Sequence, residues 1–177
     1  MNNLHKTHRL FFALWPSDRV RQSIVETFSR LPQQKQGRVV QPQNLHITLH
    51  FAGSVTQETR DCMHAAAQTV CVKPFEFRLD HFGYFPRARI LWMGCQEVPV
   101  EVKQLYDKLA AAIKSCGYQQ EQRAYAPHIT LKRKCLKPDL PQFDFSIPWK
   151  VDEFVLVESI THAEGVEYQI VERYSLL

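Results

Sequence analysis

The chain has 177 residues, 45% of them hydrophobic, and a formal net charge of +4 at pH 7. This length and composition predict one globular domain spanning residues 1–177, with enough apolar surface for a core. The slight basic excess is compatible with an anionic ligand but falls far short of the dense basic surface of a dedicated nucleic-acid binder.

The first half of the chain alternates predicted strands and helices. We expect a flexible segment at residues 1–7, followed by a buried strand at 9–15. Helical spacing of apolar residues predicts an amphipathic helix at 17–31 with Ser17 as N-cap. The next predicted elements are a polar loop at 33–43 with a short strand at Val39-Val40, a strand at 45–51 closed by Gly53, and a helix from Thr56 to Cys71.

The second half continues in the same manner towards the C-terminus. Its predicted elements are strands at 75–79 and 90–93 with an aromatic turn at 82–87 between them, a helix at 98–116 capped by Gly117, a strand from His128, a loop marked by Pro138, Pro141 and Pro148, and strands at 153–159 and 166–173 around a turn at Glu164-Gly165. This order predicts an α+β fold of two antiparallel-rich lobes.

The five cysteines predict a reduced protein. They are odd in number and widely spaced, and no two form a C-x-x-C pair. A disulfide scaffold favours an even set and a zinc site clusters its ligands, so we expect mostly buried free thiols. The apolar run at 10–15 is too short for a secretory or membrane-spanning segment. We therefore expect a cytoplasmic protein that does not bind membranes.

The tetrapeptide His-Ile-Thr-Leu occurs twice, at His46–Leu49 and His128–Leu131, 82 residues apart. Side chains two residues apart in a strand share a face, so each copy presents one imidazole and one hydroxyl together. A given histidine is followed by Ile-Thr-Leu by chance about once in several thousand cases. Two copies among eight histidines therefore indicate a functional site.

Two imidazoles and two hydroxyls in one groove suit acid–base chemistry on a phosphate. Because the histidine pKa lies near 6.5, one ring can be neutral and accept a proton from water while the other is charged and protonates a leaving alkoxide. The Thr48 and Thr130 hydroxyls can donate hydrogen bonds to phosphoryl oxygens. A strained nucleoside 2′,3′-cyclic phosphate needs little more, so we expect no metal and no other cofactor.

The paired motifs, the opening segment Arg9–Ala13 and the run Asn44–His46 resemble the 2H phosphoesterase superfamily, in particular its bacterial RNA 2′,3′-cyclic phosphodiesterases, historically called 2′-5′ RNA ligases. The resemblance covers nearly the whole chain. It implies a bilobal, pseudo-two-fold pair of antiparallel-rich sheets with flanking helices, whose motif strands line a central cleft.

The resemblance also implies roles for residues. His46 would be the general acid on the leaving 3′ oxygen and His128 the general base that activates water, so that the product is a 2′-phosphomonoester. The expected partners are RNA ends or nucleotides with a 2′,3′-cyclic phosphate, bound by a monomer. Arg133 matches a phosphate-contacting arginine of the family, whereas strand alternation places it on the face opposite His128 and instead places His50 and Lys132 on the cleft face.

Three aromatic residues are candidates for stacking on a nucleobase. Tyr84 and Phe85 lie in the predicted turn, where large rings have no evident reason for burial, and Phe12 neighbours Phe11 in a strand whose alternation turns one of them outward. Phe11 and Trp92 are expected in the core.

Two further functions remain open from the sequence. The same site would suit small cyclic phosphates or 2′-5′-linked oligonucleotides, with 2′-5′ RNA ligation as the reverse reaction. A non-catalytic protein that binds RNA ends is the alternative of another class, supported by the mild basicity and the aromatic segment at 82–87.

Overall fold

The computed structural model describes residues 7–32, 35–140, 143–163 and 165–177. The strands are β1 His8–Leu14, β2 Arg38–Val39, β3 Ile47–Val55, β4 Phe75–Leu79, β5 His81–Phe85, β6 Ile90–Gly94, β7 Ile129–Arg133, β8 Ile147–Val151, β9 Glu153–His162 and β10 Gly165–Ser175. The helices are α1 Asp18–Ser29, α2 Gln57–Ala67 and α3 Val100–Ile113, with 3₁₀ turns at Pro42–Asn44 and Lys114–Cys116. The predicted flexible segment lies outside the described residues except for Thr7, and so does Glu164 of the predicted closing turn.

Two antiparallel sheets form the fold. The main sheet has the order β10-β9-β1-β3-β7-β6-β5, with β2 also paired to β7, and β4 pairs with β8 in a second, two-stranded sheet. Every strand pair in the described chain is antiparallel. The predicted α+β architecture is confirmed.

Within the main sheet, a single residue pair joins the two lobes. One lobe is β10-β9-β1-β3 and the other is β7-β6-β5 with β2, and Ile47 of β3 opposite Ile129 of β7 joins them. Both isoleucines are fully buried. The lobes are not the two halves of the sequence, because β9 and β10, from the C-terminal end, complete the lobe that holds the first motif.

The helices begin where the sequence supplies caps. The Ser17 hydroxyl accepts a hydrogen bond from the Val20 N–H, and the Thr56 hydroxyl does the same for Thr59. After α3 the chain turns at Gly117, whose φ of +87° is the left-handed conformation expected at a helix C-terminus. None of the described helices is long and apolar enough to cross a membrane.

Two segments differ from their predicted structure. Residues 82–87 were expected to form a turn, but most of them belong to β5, where Gly83 lies under the Trp92 ring and a Cβ there would come within 2.0 Å of it. Pro148 was expected in a loop but lies in β8, opposite Arg78. A proline is tolerated there because β8 is an edge strand of a two-stranded sheet.

The prediction of reduced, mostly buried thiols is wrong. Cys62 of α2 and Cys116 form a disulfide, and of the remaining cysteines only Cys135 is buried. Packing of α2 against the end of α3 brings the two Cα atoms to 5.7 Å, within the range that a disulfide spans. Because 54 residues separate the two cysteines, no local sequence pattern indicated this contact.

Candidate active site

The motif strands place their polar residues on one face. His46, Thr48, His128 and Thr130 are half-buried, whereas the Ile and Leu residues between them are buried. An antiparallel register through the Ile47–Ile129 pair puts position 46 opposite 130 and position 48 opposite 128. The two motifs are therefore brought together around an approximate two-fold axis, each histidine facing the threonine of the other copy.

Both imidazoles are held in one tautomer by backbone carbonyls. His46 donates its Nδ1–H to the Asn44 carbonyl at 2.7 Å, and His128 donates its Nδ1–H to the Ala126 carbonyl at 2.8 Å. A carbonyl only accepts hydrogen bonds, so each neutral ring carries its proton on Nδ1 and has a lone pair on Nε2 that can accept a proton. Nε2 of His46 lies 3.1 Å from the Thr48 hydroxyl.

Each motif strand bulges at the leucine of the motif. Across from β3, Phe12 pairs with His50 and Ala13 with Thr48, so Leu49 has no partner on β1. Across from β7, the register likewise skips Leu131. A bulge adds one residue to one strand and so shifts the alternation of side chains beyond it.

Because of the bulges, three residues lie on the opposite face from the one that strict alternation predicts. His50 and Lys132 were expected in the cleft, but both are buried on the core side. His50 contacts the Tyr106 carbonyl and the Tyr118 hydroxyl at 2.7 and 2.9 Å. Arg133 is exposed and lines the cleft with His46, as the resemblance implied and as simple alternation did not.

Aromatic side chains surround both histidines. The Trp15 ring stacks on His46 with an interplanar angle of 6° and a centroid distance of 5.3 Å, and Phe11 and Tyr168 contact the same imidazole. Trp15 and Tyr168 were not predicted as site residues. Phe11 was predicted in the core and is buried there, with its ring also in contact with His46. Phe11 and Trp15 are four residues apart, an even spacing that places both side chains on one face of an extended chain. Nothing in the sequence connects Tyr168 with them.

The base-stacking candidates have different outcomes. Phe12 is fully buried between Phe154 and Tyr174, so it is not available to a base. Tyr84 turns to the core side and donates its hydroxyl to the Cys135 carbonyl. Phe85 lies on the other face, its ring edge-on to His128 at 4.9 Å, and stays a candidate.

Burial and positive charge lower the pKa of both catalytic candidates. Burial holds the pKa of His46 at about 4; the Asn44 carbonyl opposes this, and the charges of Arg133 and His128 reinforce it. Burial also lowers the pKa of His128, opposed by the Ala126 carbonyl and reinforced by Arg123 and Arg133. Both rings therefore favour the neutral form more than a free imidazole does.

The cleft forks at His46. One cavity of about 410 Å³ is lined by Arg9, Thr48 and Phe51, and a second of about 600 Å³ by Arg38 and Thr130. His46, Arg133, Val166 and Tyr168 line both, and none of the described lining residues is an acid. His128 does not line either cavity. The three arginines among the described lining residues favour the binding of an anion.

This combination of fold and paired His-x-Thr strands defines a class of phosphoesterase. The family model of the 2′-5′ RNA ligase superfamily matches residues 16–163, and the chain belongs to that superfamily, which confirms the resemblance. The chain is 29% identical over 174 residues to the RNA 2′,3′-cyclic phosphodiesterase of Escherichia coli K12, covering 98% of this chain and 99% of the relative.

Two further comparisons agree. The RNA 2′,3′-cyclic phosphodiesterase of Thermus thermophilus is 30% identical over 179 residues, covering 95% of this chain and 90% of the relative. The crystal structure of E. coli LigT complexed with 3′-AMP superimposes with a TM-score of 0.89 at 30% identity, covering 97% of this chain and 99% of LigT.

Proposed function

We propose that this protein hydrolyses terminal 2′,3′-cyclic phosphates on RNA to 2′-phosphomonoesters by acid–base catalysis from His46 and His128. The observation that carries the proposal is the antiparallel meeting of the two His-x-Thr strands at Ile47–Ile129, next to Arg133. Relatives named for this reaction match almost the full chain, and a nucleoside monophosphate binds to LigT.

The reaction uses one proton from water and one from an imidazolium. Nε2 of His128 accepts a proton as the water oxygen attacks phosphorus. The bond between phosphorus and the 3′ oxygen breaks, and His46 protonates that oxygen from Nε2. The Thr48 and Thr130 hydroxyls and the Arg133 guanidinium stabilise the negative charge on the non-bridging oxygens. The assignment of acid and base to the two histidines rests on the family resemblance.

Substrate binding supplies the protonation state that the free protein lacks. An anionic phosphate beside His46 favours the charged ring and so raises its pKa from about 4. An imidazolium with an intrinsically low pKa is a strong acid, which suits protonation of an alkoxide. His128 already carries a free Nε2 lone pair at neutral pH.

The same groups serve the reverse reaction. In reverse, His46 deprotonates the 3′ hydroxyl of the product, which attacks phosphorus and re-forms the cyclic phosphate while His128 protonates the departing oxygen. In 2′-5′ ligation the 5′ hydroxyl of a second strand takes the place of water: His128 deprotonates it, its oxygen bonds to phosphorus, and His46 protonates the leaving 3′ oxygen. Both histidines come from one chain, which supports a monomer as the active form. A cytoplasmic location stays a prediction.

The test is hydrolysis of an oligoribonucleotide with a 2′,3′-cyclic phosphate in the presence of EDTA. We expect full activity with the chelator, and a loss of about 10²–10⁴-fold for His46→Ala and for His128→Ala. The matched control is His64→Gln, since His64 lies on α2 and contacts Tyr174 rather than the cleft. The mechanism would be contradicted if EDTA abolished turnover or if both alanine variants retained it. Binding of the oligonucleotide without turnover would favour the RNA-binding alternative.

A further inference from the structure

The two branches of the cleft differ in the chemistry they offer. One branch, lined by Arg9, Thr48 and Phe51 (the aromatic branch), contains Phe51, which is 46% exposed and over whose ring the Arg9 guanidinium lies at 4.8 Å. Tyr168 lines this branch as well as the other. An exposed ring, a guanidinium plane and Tyr168 are the groups on which nucleobases stack. This branch suits the base of the terminal nucleotide.

The other branch, lined by Arg38, Val39 and Thr130 (the arginine branch), offers positive charge beside an aliphatic wall. Arg38 lies directly opposite Arg133 in the β2–β7 ladder. Like charges on directly opposed residues destabilise a sheet. Neither arginine has an ion-pair partner in the described parts of the chain, so an anionic ligand is what would stabilise this pair.

A glycine fixes the position of Arg38. Gly37 has a φ of +99°, and a Cβ at that residue would lie 2.7 Å from the Arg133 carbonyl oxygen and 3.0 Å from Cys135. Only glycine permits β2 to pack this closely on the end of β7. The backbone of Arg38 is thereby fixed opposite Arg133, and its exposed side chain lines the arginine branch and not the aromatic branch.

We propose that Arg38 binds the phosphodiester preceding the terminal nucleotide, so that the protein selects RNA ends of two or more nucleotides over mononucleoside 2′,3′-cyclic phosphates. The proposal rests on the proposed function. The cyclic phosphate occupies the fork beside His46 and Arg133, its base enters the aromatic branch, and the chain upstream passes Arg38. A mononucleotide fills the fork and one branch but leaves Arg38 without a ligand.

The experiment compares kcat/KM for adenosine 2′,3′-cyclic phosphate and for the dinucleotide ApA ending in a 2′,3′-cyclic phosphate. We expect kcat/KM of the wild type to be about tenfold higher for the dinucleotide. This corresponds to the lower end of the range for hydrogen bonds to charged groups, because Arg38 is exposed. Arg38→Ala should lose that preference through a higher KM for the dinucleotide, with kcat/KM for the mononucleotide changed less than about twofold. Arg38→Lys should keep part of the preference.

Controls separate this role from general electrostatics. Arg19→Ala, an exposed arginine of α1, should leave both substrates unaffected, and Arg9→Ala should lower both alike. The difference between wild type and Arg38→Ala on the dinucleotide should shrink as salt is raised, because exposed charges are screened.

The outcomes distinguish the two proposals. Three results would overturn the role of Arg38 while leaving cyclic-phosphate hydrolysis in place. They are a wild type that hydrolyses both substrates equally well, an Arg38→Ala variant that loses activity on both substrates equally, and an Arg9→Ala variant that loses activity only on the dinucleotide. A wild type that hydrolyses neither substrate would instead refute the proposed function.

Discussion

Arg133 is the positive charge that both imidazoles of the cleft experience. It lowers the pKa of His46 and of His128, and it does so without an ion-pair partner of its own in the described chain. Burial is the largest cause of both shifts, and Arg133 is the one arginine that adds to the lowering at both rings; it also adds positive charge that attracts the phosphate.

Replacing Arg133 should therefore move the pH dependence as well as the affinity. In Arg133→Ala both histidine pKa values rise, because a neighbouring cation disfavours protonation. The bell-shaped profile of kcat/KM should shift to higher pH, and KM should increase. The measurement is kcat/KM for a cyclic-phosphate oligonucleotide across the pH range in which the histidines titrate.

Arg133→Lys is the matched control for charge. It keeps the positive charge near both rings, so the pH profile should stay in place while KM increases because the bidentate geometry is lost. A profile of Arg133→Ala that coincides with the wild-type profile would show that Arg133 does not set the pKa of either histidine.

The faces of the motif residues show how far sequence alone reaches at this scale. Alternation correctly grouped each histidine with its threonine, because the bulge in each strand comes only after that pair. The alternation rule gave the wrong face for His50, Lys132 and Arg133. The bulges at Leu49 and Leu131 each add one residue to the strand, and the residue types there do not indicate a bulge. The aromatic contacts of Tyr168 depend on strand pairing, which local patterns do not specify.

Strand β2 is short, yet its pairing with β7 places Arg38. Gly37 makes that pairing possible, because a side chain there would collide with the β7 backbone. We expect Gly37→Ala to destabilise the fold by about 2–3 kcal/mol, from left-handed backbone strain and steric overlap together. It should also lower kcat/KM for the dinucleotide substrate more than for the mononucleotide.

The variant Gly117→Ala separates backbone strain from steric overlap as causes of the destabilisation. Gly117 has a φ of +87°, but nothing lies within 4 Å of its Cβ position, so only the left-handed backbone strain of about 1–2 kcal/mol applies. Denaturant unfolding of both variants measures the difference. Equal destabilisation of the two would mean that β2 and β7 are not closely packed at Gly37.

Predictions of whole elements succeeded where local signals agreed. Helices α1 and α3 follow from apolar periodicity together with Ser17 and Gly117. Strand β5 was predicted as a turn because Gly83 and Pro86 are turn residues. In the structure Gly83 instead leaves space for the Trp92 ring of the neighbouring strand, a reason that exists only once β5 and β6 are paired.

At the scale of the whole molecule, the disulfide joins helices on the side of the sheet away from the cleft. Cys62 and Cys116 connect α2 with the end of α3, and neither lines the cavities at His46. Reduction, or the double variant Cys62→Ser/Cys116→Ser, should lower the free energy of unfolding by about 2–4 kcal/mol. The kcat should be unchanged at a temperature where both forms are folded.

The control for this prediction is Cys71→Ser, which replaces an exposed free thiol. Its melting temperature should stay near that of the wild type and should still fall when reductant is added. A wild-type melting temperature that is the same with and without reductant would show that the bridge does not stabilise the protein.

The single Ile47–Ile129 pair between the lobes has a consequence for substrate orientation. A phosphate on an axis that relates two identical half-sites can bind in two equivalent poses, and half of the bound molecules would then present the wrong oxygen to the acid. Beyond the bulges, the first copy carries Phe51 where the second carries Arg133. That difference makes the two poses inequivalent. Because an aromatic ring and a guanidinium occupy equivalent positions, the RNA end binds in one orientation, although the two His-x-Thr pairs are symmetric.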